Sequence, residues 1–340
     1  MLRRILVTGG AGYIGSHATL SLLEAGFDVL VLDNLSNSSE ESLRRVSKIC
    51  GKALKFVKGD IRDRLLLDSL FADNRIDAVL HFAGLKSVCE SIHDPLTYYE
   101  NNIIGTLTLC QSMASSGVFN LVFSSSAAVY GDASRMPISE DFPTGPKTPY
   151  GRSKLMAEEI LRDLGNSESR WRIALLRYFN PVGAHSSGLI GEDPNDTPSN
   201  LLPYISQVAI GKLSNVAVFG NDYPTRDGTG VRDYIHVVDL AEGHIKALNA
   251  ISQLNGVHTW NLGTGTGYTV LEMINAFGRI SGLPIPHHIT ARRAGDIAEC
   301  WANSSKAEYE LKWTAKRALD DMVTDAWRWQ TLNPLGYKCI

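Results

Sequence analysis

The chain has 340 residues, 44% hydrophobic and 20% charged, which is about two domains at roughly 150 residues each and enough to bury a core. Its 33 lysines and arginines stand against 36 aspartates and glutamates, a net charge of −3, so no cationic excess exists to neutralise a nucleic acid backbone or an anionic membrane surface. No run approaches the roughly 18 apolar residues that cross a bilayer, and Met1-Leu2-Arg3-Arg4 leads into a Gly-rich turn instead of a signal-peptide core, so the chain reads as soluble and cytoplasmic.

In the first half, short apolar or β-branched runs alternate with stretches whose apolar residues recur every three or four positions. That is the pattern of a parallel sheet with helices on both faces. Strands are expected at residues 4–8, 28–32, 54–57, 78–81, 121–124 and 173–178, and helices at 14–25, 40–49, 63–71, 96–115 and 150–164. After Asn180, Gly, Pro, Asn and Asp crowd segments 181–200 and 220–230, which predicts long loops beside a ligand crevice. Helices should resume at 238–250, 270–281 and 318–329. A strand at 259–262 should return to the edge of the first sheet. The five cysteines (Cys50, Cys89, Cys110, Cys300, Cys339) are odd in number and scattered, with no CxxC pair, so neither a disulfide framework nor a structural zinc site is expected and a reducing compartment fits.

Residues Ile5 to Gly15 read as an apolar strand, a turn with four glycines and the start of a helix. They satisfy GxGxxG through Gly10, Gly12 and Gly15, and GxxGxxG through Gly9, Gly12 and Gly15. Missing Cβ atoms there let backbone amides and a helix N-terminus approach a pyrophosphate. Asp33 closes the second strand, where a carboxylate accepts from a ribose 2′-hydroxyl and repels a 2′-phosphate, so NAD is expected over NADP. The expected fold is a Rossmann-type doubly wound parallel α/β sheet over residues 1–180, rejoined by part of 232–262. A smaller mixed α/β substrate domain is expected over 181–340. Asp60 and Ile61 follow the third strand and Phe82 the fourth, at the carboxyl ends where such sheets bind ligands. By residue type alone, Asp60 reads more readily as a turn or helix cap than as an adenine contact.

Tyr150-Gly151-Arg152-Ser153-Lys154 sets a phenol and an ammonium four residues apart, on one face of a helix. The preceding strand ends in Ser124-Ser125-Ser126. A tyrosine near its usual pKa of about 10 is a poor base at neutral pH. A lysine cation and a positive nicotinamide would favour the phenolate, while a serine hydroxyl holds a substrate alcohol in line.

With these motifs the chain resembles the extended short-chain dehydrogenase/reductase family, and within it the UDP-glucose (UDP-galactose) 4-epimerases. The resemblance runs over nearly the whole length. It rests on the Gly-rich segment 7–17, on His81-Phe82-Ala83-Gly84-Leu85-Lys86, on Phe123-Ser124-Ser125-Ser126-Ala127 and on Tyr150 to Lys154. More specific still are Arg177-Tyr178-Phe179-Asn180-Pro181-Val182-Gly183-Ala184 and Gly230-Val231-Arg232-Asp233-Tyr234-Ile235-His236. The resemblance implies Tyr150 as catalytic acid/base, Lys154 as its electrostatic partner and nicotinamide-ribose ligand, and Ser126 as the hydroxyl that orients the sugar oxygen. It implies NAD contacts at Gly9, Gly12, Tyr13, Ile14, Gly15, Asp33, Asn34, Asp60, Ile61, Phe82, Lys86, Asn101 and Phe179, besides Tyr150 and Lys154. A UDP-sugar site follows at Ser126, Asn180, Asn200, Leu201, Phe219, Arg232, Arg293, Asp296 and Cys300, with no metal. Two arginines suit a diphosphate, an aromatic ring suits uracil, and a carboxylate suits ribose hydroxyls.

In this family the position of Cys300 lines the hexose pocket, and a small residue there leaves room for an N-acetyl group. Activity on UDP-GlcNAc and UDP-GalNAc is therefore expected beside that on the plain hexoses. A buried thiol that is only core is the alternative. A 4,6-dehydratase would need an Asp-Glu pair after the strand-end hydroxyl, where this chain has Ala127-Ala128. A uronate 4-epimerase or decarboxylase stays open, as does a non-catalytic NAD sensor, although a sensor has no use for Tyr150, Lys154 and Ser126 together. Segments 96–115 and 150–164 could pair about a two-fold axis into the homodimer usual in the family, or face the sheet entirely.

Overall fold

A computed structural model describes residues 2–133, 135–195, 197–293 and 295–338; Cys339 lies outside them. In chain order the strands are β1 (Arg4–Thr8), β2 (Asp28–Asp33), β3 (Lys55–Lys58), β4 (Ala78–His81), β5 (Asn120–Ser126), β6 (Arg172–Tyr178), β7 (Asn180–Val182), β8 (Val216–Phe219), β9 (Val231–His236), β10 (Gly256–Leu262), β11 (Gly267–Thr269), β12 (His287–Thr290) and β13 (Glu299–Cys300). The helices are α1 (Tyr13–Glu24), α2 (Glu40–Cys50), α3 (Arg64–Asp73), α4 (Val88–His93), α5 (Pro95–Tyr99), α6 (Gly105–Ser115), α7 (Pro149–Ser167), α8 (Leu201–Ala209), α9 (Val237–Ile251), α10 (Val270–Ser281), α11 (Ser305–Leu311) and α12 (Leu319–Leu332).

Seven strands form one parallel sheet in the order β10-β6-β5-β4-β1-β2-β3. Side chains alternate across it as the pleat requires. Ile5, Val7, Val31, Leu80 and Leu176 pack under α1, α2 and α9, while Leu6, Leu30, Val79, Leu121 and Leu175 pack under α3, α6 and α7. Burial on both faces explains why these strands are unbroken apolar runs. The strand at 259–262 is longer than its apolar core suggests, since β10 starts at Gly256 and pairs with β6 through Leu262.

The second half builds a separate core from α8, α10, α12 and the β8–β12 pair, including Leu202, Ile205, Val218, Phe277 and Met322. A small sheet joins β7, β9, β11 and β13. Of the two expected loops, 181–200 opens on the end of β7, and 220–230 connects β8 to β9 without a strand of its own.

The helix expected at 96–115 starts at Pro95, with the Asp94 side chain capping it, and passes through a π turn at Glu100–Ile104 into α6. The wider turn brings Asn102 inward. Its Oδ1 accepts from the Leu85 amide at 2.8 Å, and its Nδ2 donates to Leu85 O at 3.1 Å and Ser153 Oγ at 3.0 Å. π turns of this kind recur at functional sites. No described helix is long and apolar enough to cross a membrane, and Cys50, Cys89, Cys110 and Cys300 are free thiols.

Candidate active site

The β1–α1 turn forms the floor of an open cleft. A Cβ on Gly15 would lie 2.1 Å from Gly9 O, so only glycine lets the helix start this close to the strand. Gly12 caps α1 without a side-chain bond, and no acidic residue occupies the first turn. The first amides of α1 are therefore left for an anion. Beside them, Asp33 is buried: Oδ2 accepts from Ala11 N at 3.0 Å, and Oδ1 accepts from Leu35 N at 2.9 Å and Ser38 Oγ at 2.8 Å. A carboxylate has about four acceptor positions, so one remains for a ribose hydroxyl. The turn, the uncapped helix and this carboxylate fit a dinucleotide without a 2′-phosphate.

Of the residues expected to hold the cofactor, Gly9, Gly12, Tyr13, Ile14, Gly15, Asp33, Asn34, Ile61, Phe82, Lys86, Asn101, Tyr150 and Lys154 line this cleft. Asp60 and Phe179 are not among its lining side chains. The Asp60 carboxylate accepts from Asn34 Nδ2 at 3.1 Å and from Arg62 Nη2 at 2.9 Å, and the Arg62 bonds bring its pKa to about 2. Phe179 is buried among Ala127, Val129, Tyr130, Ile138, Cys300 and Ala302.

Helix α7 opens with Thr148, whose hydroxyl accepts from Gly151 N at 3.2 Å, and with Pro149 in its first turn. That start sets Tyr150 and Lys154 one turn apart, both buried at the cleft. Burial pushes the Tyr150 phenol above its ordinary value, while the neighbouring Ser126 hydroxyl pulls it back. The sequence reading expects Lys154 and the nicotinamide to favour the phenolate; burial acts against that charge. Burial draws Lys154 down to about 8, opposed by Glu158. Lys154 Nζ donates to Ser124 O at 2.8 Å and lies 5.0 Å from the Phe123 ring centre. One turn further, Glu158 is fully buried and accepts from Arg177 Nε at 2.9 Å and from Ser125 Oγ.

The residues expected on the sugar nucleotide side fall outside the lining of this cleft. Cys300 of β13 pairs with Arg232 of β9, and burial raises its thiol to about 11. Ala127 lies in the same apolar cluster as Cys300, so the end of β5 at Ser126 connects the two regions. The Arg293 guanidinium sits 4.6 Å over the ring of half-exposed Phe219, and its Nε meets Asp296 Oδ2 at 3.0 Å. Asn180 is exposed at the start of β7, and Asn200 precedes Leu201 at the start of α8. Asn200 Nδ2 and Lys86 Nζ both donate to Glu192 Oε1, at 2.9 and 2.8 Å.

Residues 5–263 match the NAD dependent epimerase/dehydratase family. The chain is 60% identical to the UDP-glucose 4-epimerase of Bacillus subtilis (strain 168), over 98% of each protein. The chain belongs to this family. Its fold is similar to that of the UDP-glucose 4-epimerase from Bifidobacterium longum in complex with NAD+ and UDP, with a TM-score of 0.96, 53% identity and coverage of 98% and 99% of the two chains. The UDP-Glc/GlcNAc 4-epimerase from Campylobacter jejuni is also similar, at 36% identity and a TM-score of 0.85, with 97% and 99% of the chains covered. The protein is an NAD-dependent epimerase, and NAD is its cofactor.

In this epimerase further residues line the cofactor cleft: Ser38, Tyr178, Glu192, Asn195 and Tyr337. Tyr178 is adjacent to Phe179 in a motif visible in the sequence. Glu158 could have been found from its spacing, one turn beyond Lys154 on the same helix face. Glu192, Asn195 and Tyr337 carry no local signal, because contacts across the fold bring them to the cleft.

Proposed function

We propose that the protein interconverts UDP-glucose and UDP-galactose as a UDP-hexose 4-epimerase. In this reading residues 1–180 with part of 232–262 form the NAD-binding domain, and residues 181–340 bind the UDP-sugar. The observation that carries it is Tyr150 and Lys154 lining the same cleft as the β1–α1 glycine turn, in a chain so similar to UDP-glucose 4-epimerases. Bound NAD supplies the acceptor and donor of hydride at sugar C4. Tyr150 takes the proton of the sugar 4-hydroxyl and later returns it, Ser126 orients that oxygen, and the Lys154 cation stabilises the phenolate. Gly9, Gly12, Gly15, Tyr13 and Ile14 cradle the pyrophosphate, and Asp33 holds the adenosine ribose. Asn34, Asp60, Ile61, Phe82, Lys86, Asn101 and Phe179 complete the cofactor contacts.

On the substrate side Phe219 stacks on uracil, Arg232 and Arg293 neutralise the diphosphate, and Asp296 takes ribose hydroxyls, framed by Asn180, Asn200 and Leu201. A firm grip on UDP and a loose one on the hexose lets the 4-keto sugar present its other face, which inverts C4. Incubation of the purified protein with UDP-galactose and no added cofactor is expected to yield UDP-glucose; absence of product from protein loaded with NAD overturns the reading.

The similarity to the C. jejuni UDP-Glc/GlcNAc 4-epimerase and the small Cys300 side chain support activity on UDP-GlcNAc and UDP-GalNAc as well. A bulky residue excludes an N-acetyl group by overlap, a larger effect than the roughly 1–3 kcal/mol of a methylene contact. Cys300→Tyr is therefore expected to abolish turnover of the acetylated sugars and spare the plain ones in parallel progress curves. Equal loss on both classes removes the assignment.

A homodimer is supported by exposed apolar side chains on the helices around α7: Val88, Ile92, Leu96, Ile104 and Met156, with Leu96 78% exposed. Such a patch on a water-facing surface marks an interface. Leu96→Asp is expected to shift the protein from dimer toward monomer in analytical ultracentrifugation, whereas a monomeric parent excludes the assembly. The free thiols suit the cytoplasm as the working compartment, which cell fractionation checks.

A further inference from the structure

The segment 188–195 runs along the cofactor cleft, and its residues 191–195 line one wall of it. Near one end Glu192 takes Lys86 Nζ at 2.8 Å; at the other Asn195 Nδ2 donates to Ser36 O at 3.3 Å, close to Asp33. Between them Tyr13 at the start of α1 donates its phenol to Gly183 O at 2.7 Å, where the same loop begins. The wall therefore lies over the turn that faces the pyrophosphate. It has no regular secondary structure after β7, so its backbone groups must find partners elsewhere.

Some are local, as where Ile190 O accepts from His185 N at 3.1 Å; others come from the far end of the chain. Asn333 Nδ2 donates to Gly188 O at 2.8 Å, and Trp329 Nε1 donates to Glu192 O at 3.1 Å. The Tyr337 phenol exchanges hydrogen bonds with Gly191, accepting from its N and donating to its O, each at 3.2 Å. Tyr337 N donates to Asp193 Oδ2 at 2.7 Å. Gly336 adopts φ +70°, and a Cβ there would lie 2.0 Å from the Asp193 carboxylate, so the tail's backbone packs directly on that side chain. Arg45 of α2 completes the joint. It donates to Leu189 O at 3.1 Å and Asn333 Oδ1 at 2.5 Å, and its guanidinium lies 5.2 Å from the Tyr337 ring centre and 5.8 Å from that of Trp329.

We infer that Trp329, Asn333 and Tyr337 form a strap that fastens the 188–195 wall against the dinucleotide, with Tyr337 itself a cofactor-site residue, so that the C-terminal segment governs retention of NAD. The inference rests on the cofactor assignment above. Ile190 anchors the middle of this segment in the apolar core, and the strap supplies the hydrogen bonds on either side of it, at Gly188, Gly191 and Glu192.

The test uses full-length protein purified with its cofactor. NAD per polypeptide is measured by chromatography after acid denaturation, and exchange of bound NAD is followed against free isotopically labelled NAD. Tyr337→Ala is expected to exchange at least about tenfold faster than the parent, the effect of losing the phenol's two hydrogen bonds and the ring's contacts with Arg45 and Trp329. Tyr337→Phe, which keeps the ring against Arg45 and Trp329, should fall between. Should Tyr337→Ala fail to fold, Tyr337→Phe and Asn333→Ala carry the comparison. Folded variants that retain a full complement of NAD and exchange at the parental rate overturn the inference. An unaltered protein that holds NAD yet does not epimerise UDP-galactose defeats the functional reading instead, and leaves this comparison intact.

Discussion

Tyr150→Phe is expected to lower epimerisation by about a hundred- to ten-thousandfold, the range of a positioned acid–base group. Phenylalanine keeps the ring in its buried place at the start of α7, and the Lys154 bond to Ser124 O is untouched. What disappears is the phenol one helical turn from the Lys154 cation, the group placed to accept the proton and remain beside that charge. Ser126 cannot replace it, since its hydroxyl is a far weaker acid than a phenol and already accepts from Ala128 N at 3.1 Å. UDP affinity should change little, because Phe219, Arg232, Arg293 and Asp296 lie outside the cofactor cleft. Steady-state kinetics with calorimetric titration of UDP separate the two effects; an unchanged turnover would remove Tyr150 from the mechanism.

Burial raises the Tyr150 phenol, so the phenolate has to be drawn out by positive charge, and Lys154 lies one turn along the same helix. Lys154 titrates near 8, so turnover should decline as pH rises through that value, with loss of the ammonium.

Glu158→Gln is expected to destabilise the fold by about 3 kcal/mol and to move that decline to lower pH. The carboxylate is fully buried, and Arg177, itself 4% exposed, is bonded to it through Nε and Nη2. Removing one partner of a buried pair strands the other charge, which costs about 3–5 kcal/mol where no bond replaces it. The same change takes away the charge that holds Lys154 up, and leaves the Arg177 cation to oppose it. His81 faces Lys154 from the sheet but stays neutral, since burial and the ammonium take it to about 3.

The sign of the stability effect follows. Lys154 is lowered from 10.5 to about 8 on folding, so below pH 8 the native state bears the cost of a buried cation. Between those values the unfolded chain binds more protons, and stability rises with pH. In Glu158→Gln this window should begin at a lower pH. Denaturant unfolding across pH 7 to 10 with a parallel activity profile would show it; a profile unmoved by the substitution removes the electrostatic role of Glu158.

The parts of the site legible in the sequence are those built within one or two adjacent elements. The glycine turn and Asp33 belong to a single strand-helix-strand unit, and Tyr150 and Lys154 share one helical turn. Here residue spacing and three-dimensional geometry carry the same information. Asp60 shows where the reading weakens. Its place after β3 is right for a ligand contact, yet Arg62 and Asn34 engage its carboxylate, which residue type alone cannot disclose. The helix at 96–115 was legible as a helix but not its π turn, because one extra residue in a turn barely disturbs the apolar periodicity. It is this turn that bonds Asn102 to Leu85 and Ser153.

Local spacing and hydrophobic period suffice for the doubly wound sheet, the dinucleotide turn, Asp33 at the end of β2 and the tyrosine–lysine pair. Only the tertiary structure decided which charges neutralise one another and what closes the cofactor cleft. Glu158 finds Arg177 across a helix-to-strand packing face, and Asp193 finds the Tyr337 amide 144 residues further along. Such partners are chosen by burial, which makes an unpaired polar group costly wherever the chain happens to bring it. No short stretch of sequence contains that information.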